Sequence, residues 1–96
     1  MAFSYSDKNF TVVGNLCFVH ILLDGTETTF DIPPAIYDRM LLYNIVCNYT
    51  YLANNKARFA HLTPNIGFAR IIDGKIICPD EGFGYLYFYF PIDSNK

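Results

Sequence analysis

The chain has 96 residues, of which 52% are apolar or aromatic and only 17% are charged, with a formal net charge of −2. One domain of this length buries only about 60–65% of its unfolded surface. The apolar surplus therefore points to a subunit interface, and the lack of a basic stripe argues against nucleic acid as a partner.

In chain order, Phe10 to Val13 reads as a first short strand, and Gly14-Asn15 as a tight turn between two β-rich runs. Leu16 to Leu23 is the next strand. Its alternation puts Cys17, Val19, Ile21 and Leu23 on one side and Leu16, Phe18, His20 and Leu22 on the other, so it is apolar nearly all round. His20 is expected to be a hydrogen-bonded core histidine, since no second ligand lies at a metal-binding spacing. Asp24-Gly25 turns the chain into a half-exposed third strand, Thr26 to Ile32, which Pro33-Pro34 ends abruptly. Pro34 to Met40 has room for one helical turn.

Leu41 to Leu52 reads as a long strand with Tyr43, Ile45, Cys47, Tyr49 and Tyr51 on one side. Lys56 to Leu62 and Ile66 to Ile72 follow, and Asp73-Gly74 joins the latter to Lys75 to Cys78 as a two-residue hairpin. After Gly82-Phe83-Gly84, read as a turn, comes the stretch with the strongest pattern, Gly84 to Pro91. It alternates Tyr85, Tyr87 and Tyr89 with Leu86, Phe88 and Phe90, so both of its faces call for cover. About eight short strands with regularly spaced turns predict one all-β domain over 1–96, an antiparallel β-sandwich of jelly-roll type with one helical turn near 34–40.

Chemistry is scarce in this chain. Met1 to Phe10 lacks the makeup of a targeting signal, and no apolar run approaches the roughly 18 residues of a membrane span, so no membrane insertion is expected. Cys17, Cys47 and Cys78 are an odd number set widely apart among apolar neighbours, which fits free thiols used as small hydrophobes in a reducing compartment. No phosphate-binding glycine loop, HExxH or nucleophile elbow is present, and Ser4, Ser6 and Ser94 lie near the termini. The carboxylate pairs Asp31 with Asp38 and Asp80 with Glu81 read as solvated loop charges. The chain is expected not to be an enzyme and to use no cofactor or metal.

Four motifs carry a family likeness: Val12-Val13-Gly14-Asn15 leading to Val19-His20-Ile21; Thr29-Phe30-Asp31-Ile32-Pro33-Pro34 with Arg39; Gly67-Phe68-Ala69-Arg70-Ile71-Ile72-Asp73-Gly74-Lys75-Ile76; and Phe88-Tyr89-Phe90-Pro91-Ile92. In this order they resemble the C-terminal trimeric β-sandwich domains of phage tail fibres and baseplate receptor-binding proteins. The chain departs from that pattern in its Tyr-rich closing strand and in placing Arg39 after a turn. The resemblance implies a homotrimer in the virion tail or baseplate, assembled in the host cytoplasm beside other virion tail proteins, that binds a host-surface saccharide. The alternatives are a purely structural trimerisation or capping protein, and a small phage-encoded inhibitor of a host protein.

Saccharide sites need flat aromatic faces and planar polar groups. Tyr49, Tyr51, Asn54, Asn55, Arg58, His61 and Asp80 are of the right types, and Tyr85, Tyr87 and Tyr89 are the candidates for the trimer interface.

Overall fold

A computed structural model of the chain describes residues 3–42, 44–53, 65–79 and 81–95. It is all-β and antiparallel with one short helix: β1 (Phe10–Val13), β2 (Leu16–Asp24), β3 (Thr29–Asp31), α1 (Pro34–Tyr37), β4 (Ile45–Ala53), β5 (Asn65–Ile72), β6 (Lys75–Ile77) and β7 (Gly82–Pro91). The seven strands form one curled sheet in the order β1-β2-β7-β4-β5-β6-β3. The predicted strand at Lys56 to Leu62 lies outside the described residues.

The turns arise where the sequence places residues that tolerate a left-handed backbone. Asp73 and Gly74 both have positive φ, 53° and 76°, the twist of a two-residue hairpin that matches the flanking strands. The chain departs from a simple alternation reading in three places. The third strand starts three residues late because the Asp24 carboxylate accepts hydrogen bonds from the backbone N–H groups of Thr26 and Glu27 and from the Thr26 hydroxyl. These bonds hold Gly25 to Thr28 in a turn. The fourth strand begins at Ile45 rather than Leu41, since Met40 bridges to Ile92 and the chain from α1 is anchored there. Gly82-Phe83-Gly84 belongs to β7 and is not a separate turn.

That last difference shapes the fold. β7 pairs with β2 along the whole register from Leu16 opposite Pro91 to Asp24 opposite Phe83. It meets β4 at only three positions, Tyr51 opposite Gly84, Leu52 opposite Phe83 and Ala53 opposite Gly82. From that corner β1-β2-β7 and β4-β5-β6-β3 diverge as two leaves around a common core. The corner requires glycine: a Cβ on Gly84 would stand 2.7 Å from the Thr50 carbonyl oxygen, and one on Gly82 would stand 2.9 Å from that of Leu52.

Between the leaves lie Cys17, Val19, Ile21 and Leu23 of β2, Leu86, Phe88 and Phe90 of β7, Ala69 and Ile71 of β5 and Ile76 of β6, with Ile36 and Met40 near α1. The strand alternation thus separates inner from outer faces as the period of two predicts. At the end where the termini meet, Ser94 donates its hydroxyl to Asn15, and the Arg39 guanidinium lies over the Phe3 ring at 3.8 Å while donating to the Ala35 carbonyl.

Candidate functional site

Among the described residues, the outer face of β1, β2 and β7 gathers the exposed apolar side chains Val13, Leu22, Phe83, Tyr85, Tyr87 and Tyr89. The register sets Phe18 opposite Tyr89, His20 opposite Tyr87 and Leu22 opposite Tyr85, while Thr11 of β1 lies beside Phe18. Because the inner positions of β2 and β7 fill the core, these outer side chains have no second layer over them. Tyr85, Tyr87, Tyr89 and Leu22 are 57%, 64%, 59% and 76% exposed. The rings form local contacts: Phe18 and Tyr89 lie 5.5 Å apart across the strands, and Tyr85 meets Tyr87 edge-on at 6.3 Å.

His20 was expected in the core, and the structure corrects this. It lies on the outer face, half-buried, with its Nε2 3.2 Å from the Thr11 hydroxyl. The parity of β2 decides the matter, since its odd-numbered residues are the buried ones.

From Leu16 to Leu22 and from Tyr85 to Pro91 no outward residue carries a formal charge with histidine neutral. Three tyrosines exposed to this degree hold out on the order of 300 Å² or more by themselves, given roughly 150–250 Å² per aromatic side chain. With Leu22 and the also exposed Val13 and Phe83, the face reaches or exceeds the roughly 300–600 Å² that is the largest apolar patch of a typical monomer.

The predicted interface tyrosines, Tyr85, Tyr87 and Tyr89, thus stand together on one exposed face. The saccharide candidates are distributed differently. Tyr49 and Tyr51 are only 6% and 8% exposed, on the inner side of β4, with their rings 5.4 Å apart. Gly67 lies so close under Tyr49 that a Cβ there would stand 2.9 Å from the ring. In this position both rings serve the core and offer no free face to a sugar. Asn54, Asn55, Arg58, His61 and Asp80 lie outside the described residues.

Among the described residues the electrostatics show no activated thiol or carboxylate. The three cysteines are free thiols. Burial pushes the Cys17 thiol up to about 12 and the Cys47 thiol up to about 11. Cys78 is also raised by burial, against the opposing effect of a hydrogen bond with Tyr49. Such thiols stay protonated at neutral pH and are poor nucleophiles. Asp24 is held below the ordinary carboxylate range by the backbone N–H of Glu27, then by Thr26, which is a turn-forming role.

Among the described residues no group of three or more His, Cys, Asp or Glu side chains is placed to hold a metal, and no helix is long and apolar enough to cross a membrane. No family model, curated protein or solved structure matches the chain.

The sequence reading missed Leu22 and Phe83 as members of the outer patch. Period-two parity with Tyr85 and Tyr87 was the available signal for Phe83. For Leu22 the signal was its parity with His20, which had been assigned to the core.

Proposed function

We propose that this chain is a non-enzymatic structural subunit that self-associates through the outer face of β1, β2 and β7, as a homotrimer of the kind implied by its resemblance to phage tail-fibre tip domains. The observation that carries this reading is the uncharged aromatic ladder Phe18-Tyr89, His20-Tyr87, Leu22-Tyr85, exposed on a domain with no second layer to cover it. Tyrosine suits such a place because its ring gains from burial while its hydroxyl still bonds to a neighbour's backbone or to interfacial water. A standard interface buries about 800 Å² per partner, so association would cover this patch together with its surroundings.

The number three, the virion location and the company of other tail proteins rest on the motif resemblance alone. Trimerisation is favoured over saccharide recognition because Tyr49 and Tyr51 are turned inward. Light scattering on the purified chain tests the reading: the expected mass is three times that of one chain at micromolar concentration. A monomer that persists at hundreds of micromolar would overturn it.

A further inference from the structure

A second feature of the fold is independent of the aromatic face. At one side of the sheet, between the C-terminal half of β2 and β3, runs a groove of about 680 Å³. Its origin lies in the lengths of the strands. β1 accompanies β2 only from Leu16 to Val19, and His20 then donates its N–H to the carbonyl of Asn9, where the chain bends away.

Backbone direction alternates along a strand, so the N–H and C=O of Leu22 point the same way as the N–H of His20, out of the β2 edge beyond the end of β1. No described strand meets them there. On the opposite wall, Ile32 donates to the Gly74 carbonyl and Thr28 accepts from Cys78. The even-numbered residues of β3 thus face β6, and the backbones of Thr29 and Asp31 face the groove.

The groove therefore has unladdered peptide groups on both sides, those of Leu22 on one and of Thr29 and Asp31 on the other. To hold one more strand it must be about 9–10 Å across, twice the usual strand spacing. The β2 to β3 connection, Gly25 to Thr28, is held bent by the Asp24 carboxylate and bounds one end of the groove, where Glu27 lines it. Such a strand, running antiparallel to β2, would continue the line of β1 and lie parallel to β3, since β2 and β3 run in opposite directions through the sheet order.

We infer that this groove is a receiving slot for one short extended segment of a partner polypeptide, bonded through its main chain to Leu22 on one side and to Thr29 and Asp31 on the other. Its side-chain preferences follow from the walls. Inward positions of the segment lie beside Ile21 and the half-buried Phe30, and take small apolar residues. Outward positions lie between Asp24 and Asp31, the latter paired with Lys75, with Glu27 and Lys8 also on the wall; the three carboxylates outnumber the lining lysine, so these positions take Lys or Arg.

The test uses the intact chain, isotope-labelled for amide NMR, and a capped pentapeptide of sequence Val-Lys-Val-Lys-Val as the probe. The slot predicts saturable shifts at the Leu22, Thr29 and Asp31 amides and slower solvent exchange of the amide protons that gain partners. It also predicts at least a tenfold loss of affinity when the peptide's backbone nitrogens are methylated. Glu27→Lys, which leaves the Asp31 and Lys75 pair intact, should weaken this peptide and strengthen its Val-Glu-Val-Glu-Val counterpart. Absence of saturable shifts at millimolar peptide would overturn the inference. So would binding indifferent to backbone methylation, or shifts at these amides produced by a free hexose and not by the peptide.

Discussion

The outer face of β1, β2 and β7 and the outer face of β4, β5, β6 and β3 cover the same core, yet they meet water in different ways. On the second leaf, exposed Val46, Ile66 and Phe68 are interleaved with Asn48, Thr50 and Arg70, and Lys75 pairs with Asp31 at 2.7 Å. Its apolar side chains are thus separated by groups that hold their own hydration. On the first leaf, aromatic and aliphatic residues adjoin one another across strands with no formal charge from Leu16 to Leu22 or from Tyr85 to Pro91. A surface like that of the second leaf is stable in solvent, whereas one like that of the first leaf gains free energy by being covered. This difference is what supports the proposal that the first leaf meets a neighbour.

The largest expected effect strikes the core that both leaves share. Phe90 is fully buried between them, and Phe90→Ala should cost roughly 3–5 kcal/mol, enough to unfold a domain of this size. Chemical denaturation followed by circular dichroism measures it, and a loss under about 1 kcal/mol would mean that the two leaves do not share one core.

A further loss should appear on raising the pH. The Cys17 thiol, on the inner side of β2, is pushed by burial from 9.0 to about 12, so the folded chain keeps a proton that the unfolded chain releases. Its contribution is fully present below pH 9 and is lost as the pH rises toward 12. Urea midpoints across pH 8 to 11.5 should fall less steeply in Cys17→Ala than in the unsubstituted chain.

Much of this contrast was legible in the sequence. The alternation of Leu86, Phe88 and Phe90 with Tyr85, Tyr87 and Tyr89 assigned the two sides of β7 correctly, because a period of two leaves no other arrangement once one side is core. The Asp73-Gly74 hairpin was equally plain, since both residues accept a left-handed backbone. What the alternation lacked was absolute orientation for strands that are apolar on both sides. In β2 either parity looks buried, so His20 was placed inward when Cys17, Val19 and Ile21 fill the core. Tyr49 and Tyr51 illustrate the converse. A tyrosine that suits a sugar also suits a core when a small residue such as Gly67 makes room for it, and only the β4 to β5 register reveals that pairing. The corner at Gly82 and Gly84 was hidden because a glycine required for close strand approach resembles, in sequence, a glycine in a turn.

The smallest expected effect belongs to the second leaf's ion pair. Lys75 and Asp31 are both largely exposed, and such pairs contribute about 0–1 kcal/mol. Lys75→Ala should therefore leave the thermal midpoint within about 4–8 °C of the unsubstituted chain and leave its mass in solution unchanged. A variant that dissociated would transfer the interface to the charged leaf.

The central claim rests on which leaf carries the interface, and one paired measurement addresses it most directly: light scattering of Tyr87→Glu beside Phe68→Glu, at equal concentration with the unsubstituted chain as reference. Each variant puts one carboxylate on an exposed aromatic position, Tyr87 on the uncharged leaf and Phe68 on the charged one. Tyr87→Glu is expected to reduce the assembly to single chains, because a desolvated, unpaired charge at an interface is costly, while Phe68→Glu keeps the mass of three. An assembly that survives Tyr87→Glu and dissociates with Phe68→Glu would contradict the account.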